Sequence, residues 1–362
     1  MKSLKEIFTT LAPEQATTGV VGIDIGSSSI KVVELQERKG VLTLTTYGEL
    51  QLGPYAAKDL GESVALDAKE EQEALVDVIR ESAVTVRNAV FAMPLSSSFV
   101  TNVSINADPE ADLAPMVRVE ARKVIPASLS EVALDWAEVE VSSEDQKKVT
   151  AARRDVLIAA IQNVALERFK ILMQFAGLKE PPTEIECFSA IRGLYNSQEK
   201  DIVVIDIGAV STKLYIAREG LLMRMHRVRA GGAIATRQIA DVLKIDFEAA
   251  ELKKHAAERS APDFVELQKA HHSTYERGFH EFSQVLREYE EKNGVTFGFV
   301  YLSGGGAMFP GTDSLLRNTL NRDVVRANPF GKVAYPAFME DTIRDIGPSF
   351  TVALGAAMRM FE

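Results

Sequence analysis

The sequence predicts an α/β protein of two similar halves that face each other across a cleft, with a smaller α+β subdomain inserted into the first half. Three observations predict it. An apolar strand ending in Asp-Ile-Gly occurs twice, 182 residues apart, within 22–31 and 204–213. A glycine-rich run at 303–311 follows another buried-type strand. Over 95–162 the pattern changes to short strands around one amphipathic helix, which indicates a separate small sheet.

The first half is predicted to alternate between strands and helices. Residues 4–11 carry apolar side chains at helical spacing, which predicts a helix docked on its own domain or a small helix that contacts a partner or a membrane. Alternating apolar residues predict a strand, a Gly-Ser turn and a second strand over 20–35, and a further strand over 41–47. A helix with one apolar face follows over 69–82, and a short apolar strand over 89–94.

The insert and the second half continue this pattern. In the insert we expect a strand over 99–105, a helix over 111–124 that ends before Pro126, a strand over 132–141, a charged turn over 142–154 and a strand over 155–160. Beyond it we expect a helix over 163–177, a strand–turn–strand over 202–217, helical segments over 246–260 and 263–293, a strand over 297–302 and a helix over 351–360. Strands and helices thus alternate on both sides of the insert, as in α/β folds.

The composition favours a folded cytoplasmic protein and excludes several classes of function. The chain has 362 residues, 46% of them hydrophobic and 25% charged, which suits two or three domains of about 150 residues each. A net charge of −10 argues against a generic nucleic-acid binder, which usually has a basic face. The single cysteine, Cys187, excludes a disulfide framework and is expected to be a small buried hydrophobe. The sequence shows neither a membrane-spanning apolar run nor a signal peptide.

The duplicated strand–turn segment has the chemistry of a phosphate site. Each copy ends an apolar strand in an aspartate, Asp24 or Asp206, whose carboxylate can hold a hydrated Mg²⁺. The glycine two residues later lets the backbone approach a phosphate, and the following N–H groups and hydroxyls can donate to its oxygens. One Asp-x-Gly is weak evidence, since turns often use both residues. Because Asp, Ile, Gly, Ser and Lys repeat in register, the pair predicts two turns that hold a triphosphate from opposite sides.

The glycine-rich run predicts a second part of the same site. Gly304, Gly305 and Gly306 allow close approach to a flat ligand such as adenine, and a flexible loop is the alternative. Met308 and Phe309 next to them could pack near that ligand or fill the core beneath it. The sequence has neither a P-loop nor dinucleotide-binding glycine spacing at the first turn, so the predicted nucleotide site is of another type.

The three motifs, in this order, resemble those of the actin-like ATPases. The run 303–311 is similar to the adenosine motif of actin itself, and Lys31 has the position of the phosphate-contacting lysine of that fold. Residues 184–192 and 349–357 resemble the two connecting helices, and 230–236 resembles the turn after the second phosphate hairpin in bacterial members. The resemblance implies a two-lobed actin-like ATPase fold of duplicated RNase H-like domains.

Further motifs narrow the resemblance to the PilM family of type IV pilus assembly proteins, relatives of the division protein FtsA. These motifs lie at 92–94, 120–126, 132–135, 154–160 and 186–191. The resemblance identifies the insert, 95–162, with subdomain 1C of that family. The other units implied are an N-terminal segment of 1–17, a first lobe of 18–94, 163–200 and 330–362, and a second lobe of 201–329.

The resemblance implies ATP and Mg²⁺ as ligands and assigns residues to them. Asp24 and Asp206 would hold Mg²⁺, mainly through water. Glu251 and Lys254 match the Glu-x-x-Lys that reaches the ribose and adenine. The nucleotide-binding residues implied are Asp24, Gly26, Ser27, Ser28, Ser29, Lys31, Asp206, Gly208, Ala209, Ser211, Gly231, Gly232, Glu251, Lys254, Gly304, Gly305, Gly306 and Met308.

Partners and a compartment are implied as well. Subdomain 1C would form a groove for the short cytoplasmic N-terminal segment of PilN, an inner-membrane protein. The residues expected near that groove are Phe99, Val100, Val103, Val124 and Ile125. The protein would be cytoplasmic, held at the inner membrane through its partners, would link them to the motor ATPases directly or indirectly, and could form homo-oligomers.

One departure from actin bears on hydrolysis. Actin carries another aspartate three residues after the first in its second hairpin, and this sequence has Ala209 there. The resemblance therefore implies ATP as a structural ligand or switch with at most very slow turnover. Glu186, near the start of a connecting helix, is the candidate catalytic group that could orient water, and capping or ion pairing at the helix start is the alternative.

Other charged and metal-ligand residues are expected to be structural. His271, His272 and His280 fall in a charged helical segment and are expected on a solvated face, because their spacing does not make a convincing zinc site. The pair at 153–154, both arginines, is expected in a solvated turn.

Two other functions remain open. A filament-forming cytoskeletal ATPase similar to FtsA is the main alternative. FtsA ends in a linker and an amphipathic membrane helix, whereas this sequence ends at 358–362, directly after the second connecting element, and we expect this to count against a membrane-tethered filament. A sugar or acid kinase of the same superfamily would need a second substrate pocket, for which the sequence offers no additional acid or base.

Overall fold

The computed structural model describes residues 19–139, 153–179 and 183–362. The helix predicted at 4–11 and most of the charged turn predicted at 142–154 lie outside these residues. The described chain forms three β-sheets, two of five strands and one of three.

The first five-stranded sheet is the centre of what we call lobe 1. Across the sheet its strands are β3 (Val41–Gln51), β2 (Ser29–Arg38), β1 (Gly19–Ile25), β4 (Ala89–Met93) and β8 (Glu184–Ile185). The first three are antiparallel hairpin neighbours, and β4 and β8 are added in parallel. Helix α1 (Ala68–Glu81) begins at a capping box of Asp67 and Glu70. These elements confirm the predictions for 20–94.

The second five-stranded sheet, in lobe 2, repeats this arrangement. Across the sheet its strands are β11 (Leu221–Val228), β10 (Thr212–Arg218), β9 (Asp201–Ile207), β12 (Phe299–Ser303) and β13 (Asp323–Arg326). Again two antiparallel hairpins are followed by two parallel additions. The duplication predicted from one short motif therefore extends to whole sheets.

The insert forms the three-stranded antiparallel sheet β5 (Ser98–Asn106), β7 (Arg153–Gln162) and β6 (Val132–Val139), with β7 in the middle. Helix α2 (Ala114–Val124) covers one face, and the other face packs into the core of lobe 1. The prediction of a solvated turn at 153–154 is wrong, because both arginines belong to β7. Arg154 donates 2.7 Å and 2.6 Å hydrogen bonds to the Glu138 carboxylate on the neighbouring strand.

Nine further helices are described. They are α3 (Asn163–Phe175), α4 (Glu186–Leu194), α5 (Gly232–Leu243), α6 (Phe247–His255), α7 (Phe264–Ser273), α8 (Glu276–Asn293), α9 (Thr312–Leu320), α10 (Glu340–Ile346) and α11 (Thr351–Met358). The helical segment predicted over 263–293 is two helices with a break at Thr274 and Tyr275. The break is required because α7 packs into a different apolar cluster from α8.

Helices α4 and α11 pack against each other, and α11 also packs against β1. A Cβ on Gly22 of β1 would overlap the Ala353 carbonyl of α11, and a Cβ on Gly355 of α11 would overlap the Ser189 carbonyl of α4. Glycine at both positions therefore allows the backbones to approach closely. Cys187 of α4 is fully buried, and burial raises the pKa of its thiol, which confirms the prediction of a small buried hydrophobe.

Candidate functional site

The turns of the two repeated hairpins have the same backbone hydrogen bond. Gly26 N–H donates to the Ser29 carbonyl at 3.0 Å, and Gly208 N–H donates to the Ser211 carbonyl at the same distance. Each glycine follows a buried strand, β1 or β9, and its neighbours stay near the surface of the cleft. The two turns therefore present equivalent backbone to one space.

In each hairpin an aspartate is paired in register with a lysine. Asp24 of β1 lies opposite Lys31 of β2, and Asp206 of β9 lies opposite Lys213 of β10. Lys31 Nζ donates to Ser29 Oγ at 2.6 Å and lies 3.0 Å from Glu49. The repeat thus places one acid and one base on each side of the cleft.

The cleft between the lobes contains two adjoining cavities, of about 460 Å³ and about 200 Å³. The larger cavity is lined by the turns of the two repeated hairpins, residues 26–29 and 208–211, which we call the phosphate-type turns. It is also lined by Asp24, Asp206, Gly304 and Glu186. The smaller cavity is lined by Gly232, Glu251, Lys254, Gly306 and Met308. Both are lined by Ser28, Ser29, Lys31, Gly208, Ala209 and Gly305. The structure thus brings all the predicted nucleotide residues except Gly231 to one continuous cleft.

Gly231 lies behind the cleft. It precedes α5, and a Cβ there would overlap the backbone of Ala209, so that glycine allows this helix to approach the second turn. Its neighbour Gly232 lines the smaller cavity, and Gly232 N–H donates to the Gly208 carbonyl at 2.9 Å. Gly231 therefore positions the turn from behind.

Glu186 is buried at the start of α4 and has both carboxylate oxygens engaged. Oε1 accepts the Leu95 N–H at 2.8 Å, and Oε2 lies 2.6 Å from Lys213 Nζ. Lys213 Nζ also lies 3.5 Å from Asp206. Burial would lower the pKa of Lys213, but the two carboxylates outweigh it and raise that pKa. Ion pairing at the helix start, the alternative for Glu186, is what the structure contains, and the catalytic role stays a prediction.

The two aspartates carry negative charge at a site that disfavours it. Burial, together with the nearby Glu186 and Asp206 charges, raises the pKa of Asp24 to about 6 despite Lys31 and Lys213. Burial likewise raises the pKa of Asp206. Among the described residues no hydrogen bond to the Asp24 carboxylate is found. A cation placed between these carboxylates would offset both the loss of hydration on burial and the repulsion between the negative charges.

The smaller cavity has a buried polar cluster around Glu251. Lys254 Nζ lies 2.6 Å from the Glu251 carboxylate and 2.8 Å from Thr236 Oγ1, and His255 Nε2 lies 3.0 Å from the same carboxylate. Burial would raise the pKa of Glu251, but bonds from His255, Lys254 and Thr236 lower it to about 2. Because a Cβ on Gly61 would overlap the Glu251 side chain, lobe 1 touches this cluster of lobe 2 directly.

Gly304 and Gly306 of the glycine-rich run lie so close to β9 that neither position has space for a side chain. Gly304 has φ +85°, and a Cβ there would overlap the Ile207 carbonyl and approach the Asp206 carboxylate. A Cβ on Gly306 would overlap the side chain of Ile207. The run is therefore specified by contact with β9 as well as by its access to the cleft.

Three histidines were expected on a solvated face, and this is wrong for His271. His271 is 1% exposed, lines the smaller cavity and stacks on Phe309 with ring centroids 3.7 Å apart, whereas His272 is half-buried and His280 is exposed. Burial lowers the pKa of His271 well below its usual value. Met308 and Phe309 both line the smaller cavity, and Phe309 also belongs to the apolar cluster beneath it. In the described chain no group of histidine, cysteine and acidic side chains is arranged to hold a metal by itself.

The cleft residues that sequence reasoning missed include Lys213, Arg227, His271 and Tyr275. The repeat gives a signal for Lys213, because it stands in register with Lys31. Arg227 of β11 donates to Ser211 Oγ at 3.1 Å, and the other two reach the cavity only through the packing of α7 and α8. For these last three no sequence pattern marks the cleft.

The expected partner groove is divided by the sheet of the insert. Phe99, Val103, Val124 and Ile125 lie on the side where α2 packs. Val100 lies on the opposite face, 6% exposed and packed into the lobe 1 core. Neighbouring residues of a strand point to opposite faces, so Val100 cannot line one groove with Phe99, and this part of the prediction is corrected.

The family is decided by a comparison with known proteins. A family model described as "Type IV pilus assembly protein PilM" matches residues 22–361. The chain belongs to the PilM family. The resemblance to this family inferred from the sequence motifs is thereby confirmed, and the protein is a PilM-type pilus assembly protein.

Solved structures agree with membership of the PilM family. A structure titled "PilM-PilN type IV pilus biogenesis complex" is 25% identical, covers 95% of this chain and 98% of that chain, and has a TM-score of 0.78. Ethanolamine utilization protein EutJ from Carboxydothermus hydrogenoformans is 17% identical, covering 98% and 93%, with a TM-score of 0.54. MreB5 of Spiroplasma citri bound to ADP is 13% identical, covering 96% of each chain, with a TM-score of 0.53. These similarities confirm the actin-like fold. No described helix combines the length and hydrophobicity needed to cross a membrane.

Proposed function

We propose that this PilM-family chain binds ATP with Mg²⁺ between its lobes and acts as an adaptor that captures the N-terminal cytoplasmic segment of PilN. One observation carries the nucleotide part: two turns with the same backbone hydrogen bond, each beside an aspartate and a lysine in register, face one cleft. MreB5, which shares the fold, is described as bound to ADP. The PilN part rests on the similar structure titled as a PilM-PilN complex.

The cleft fits a nucleotide triphosphate with a divalent cation. Ser27 to Ser29 and Ser211 supply hydroxyl and backbone donors for phosphate oxygens, with Lys31 as the nearby cation. The carboxylates of Asp24 and Asp206, raised in pKa by burial, supply the oxygen ligands that Mg²⁺ prefers, mainly through water. Mg²⁺ would neutralise phosphate charge there. Glu251 and Lys254 would hold the ribose, and Gly304 to Gly306 with Met308 the base.

The same residues favour retention of ATP over turnover. Ala209 offers no carboxylate beside the second turn. Glu186, the remaining candidate for orienting water, is held by Leu95 and Lys213. ATP would therefore act as a structural ligand or switch, with at most very slow hydrolysis.

The partner side of the proposal concerns the insert. The α2 side of its sheet offers partly exposed apolar side chains, Phe99, Val103 and Val124, to an extended peptide, and Ile125 is buried in the cluster beside them. Capture of PilN there would hold this protein at the inner membrane from the cytoplasm and link the membrane subcomplex to the motor ATPases. Homo-oligomers would be compatible with this role.

Calorimetric titration of ATP in the presence of Mg²⁺ tests the nucleotide site. We expect saturable binding by the wild type, strong weakening in EDTA, and loss of binding in Asp24→Ala. Asp241→Ala, at an exposed position on α5, is the matched control and should bind like the wild type. Equal affinity of Asp24→Ala and the wild type would contradict the proposed site.

Fluorescence titration with a labelled PilN N-terminal peptide, with and without Mg-ATP, tests the adaptor role. We expect saturable binding that Val103→Ser weakens about tenfold through loss of an apolar contact. Val325→Ser, at a 43% exposed valine of β13, should have no effect. If the peptide binds neither with nor without Mg-ATP, and the protein pellets on centrifugation with Mg-ATP, filament formation replaces the adaptor proposal.

A further inference from the structure

The floor of the smaller cavity holds two buried polar atoms without partners. His271 Nδ1 and Tyr275 OH are both inaccessible and make no hydrogen bond among the described residues. Both residues line the cavity, and their side chains are 1% and 0% exposed. A buried polar atom without a partner costs about 1–3 kcal/mol, so its retention at a cavity points to a ligand that satisfies it.

The position of these atoms in the cavity matches the base end of the proposed nucleotide. Glu251 and Lys254, the ribose candidates, line the same cavity, as do Gly306 and Met308. The phosphate-type turns reach it from the larger cavity through the shared serines. A nucleotide with its phosphates at the turns therefore directs its base toward this end of the cleft.

The two rings are held in place by packing. Phe309 stacks on one face of His271 at 3.7 Å, and the Tyr275 ring lies 5.0 Å from His271 at a tilt of 47°. Tyr275 stacks in turn on Phe279 of α8 at 5.6 Å. These contacts hold both rings in fixed orientations at the wall of the cavity. Burial lowers the pKa of His271, so its imidazole is neutral, and one ring nitrogen accepts while the other donates.

We infer that His271 and Tyr275 recognise the hydrogen-bonding edge of the nucleobase and determine which base the cleft accepts. This inference rests on the proposed nucleotide function. A neutral imidazole and a phenol suit an uncharged base that offers both a donor and an acceptor, as the 6-amino group and ring nitrogens of adenine do. Other unpartnered buried atoms, Thr274 Oγ1 and Thr312 Oγ1, do not line the cavity.

The test compares ATP with purine riboside triphosphate, which lacks the 6-amino group, by calorimetry on the full chain with Mg²⁺. Wild type should bind ATP about tenfold more tightly, as expected when a buried polar partner is left unsatisfied. His271→Phe keeps the stacked ring and should reduce the ratio of the two affinities to about one. Tyr275→Phe removes a single oxygen and should also reduce it. Thr312→Val, at a buried unpartnered hydroxyl outside the cavity, is the matched control and should keep the wild-type ratio.

The outcomes separate this inference from the proposed function. ATP binding with the same ratio in wild type, His271→Phe and Tyr275→Phe overturns the base-reading role and leaves the nucleotide site standing. Equal wild-type affinity for ATP and purine riboside triphosphate overturns it as well. Wild type that binds neither nucleotide overturns the proposed function and this inference with it.

Discussion

Lys213 Nζ lies 2.6 Å from Glu186 Oε2, and this ion pair joins the second phosphate-type hairpin of lobe 2 to the connecting helix α4. The other oxygen of Glu186 accepts the N–H of Leu95, where the chain leaves β4 for the insert. One buried carboxylate therefore contacts the cleft, lobe 2 and the start of the inserted subdomain.

Neutralising Glu186 is expected to tighten nucleotide binding. Glu186→Gln keeps an oxygen that accepts from Leu95 but removes one of three carboxylates near the triphosphate and frees the Lys213 charge. We expect Mg-ATP affinity to rise about three- to tenfold, measured by calorimetry. Glu37→Gln, at an exposed position of β2, is the control and should leave the affinity unchanged. Unchanged affinity combined with lost phosphate release would instead support the catalytic role.

The duplicated hairpins and the glycine run could be predicted because they depend on local sequence. Asp-x-Gly turns and their register are encoded within ten residues, so one repeat was sufficient to find both. The burial of His271 could not be predicted, because the charged pattern of 263–293 gives no sign of a break at Tyr275. This break lets α7 pack into a different apolar cluster from α8.

The prediction of the partner groove was wrong at Val100 for a different reason. Phe99 and Val100 are neighbours in one predicted strand, so alternation alone excluded their sharing a face. By contrast, Asn102 Nδ2 donates to the carbonyls of Leu222 at 3.0 Å and Met223 at 2.6 Å. This contact ties the insert to lobe 2 over long sequence separation, and no local pattern encodes it.

Asp24 is expected to reduce stability when no ligand is bound. Its pKa is raised from 3.8 to about 6 in the folded protein, so the native state binds this proton more tightly than the unfolded state does. Its contribution to the free energy of unfolding therefore falls as the pH rises from about 4 to about 6 and stays lost above that. Asp24→Asn should then stabilise the ligand-free protein at pH 7.5 by about 1–3 kcal/mol.

Urea unfolding of Asp24→Asn and wild type between pH 4 and 7.5 measures this effect. The difference should shrink toward pH 4, where the wild-type carboxyl is protonated in the folded protein and partly protonated in the unfolded chain. Asp241→Asn, at an exposed position, should differ from wild type by no more than about 0.5 kcal/mol at every pH. A destabilised Asp24→Asn at pH 7.5 would show that the carboxylate is better solvated than its burial implies.

Gly304 is expected to tolerate no side chain. Gly304→Ala would force φ +85° on alanine and press its Cβ against the Ile207 carbonyl and the Asp206 carboxylate. We expect a loss of about 2–4 kcal/mol in the free energy of unfolding and at least tenfold weaker Mg-ATP binding, because Asp206 must move. Gly298→Ala, where a Cβ meets nothing within 4 Å, is the control and should lie within about 1 kcal/mol of wild type. Equal stability of the two variants would contradict the close contact.

Glu184 is expected to hold the two connecting helices together. Its carboxylate is 2% exposed, accepts from Arg192 of α4 at 2.6 Å, and lies 2.9 Å from Arg359 at the end of α11. Burial would raise the pKa of Glu184, but the two guanidinium groups outweigh it and lower that pKa. Glu184→Gln removes the buried negative charge that both guanidinium groups contact and should cost about 3–5 kcal/mol of unfolding free energy at pH 7.

The pH dependence identifies the ion pairs as the cause. A carboxyl whose pKa is lowered by folding contributes stability above its unfolded value of 4.5 and loses it as the pH falls below. The gap between wild type and Glu184→Gln should therefore narrow in urea unfolding below pH 4.5. The Glu362 side chain, which is 38% exposed, pairs with the same Arg192. Glu362→Gln should therefore cost less than about 1 kcal/mol of unfolding free energy. Equal costs for the two variants would mean that burial of Glu184 adds nothing to the connection between α4 and α11.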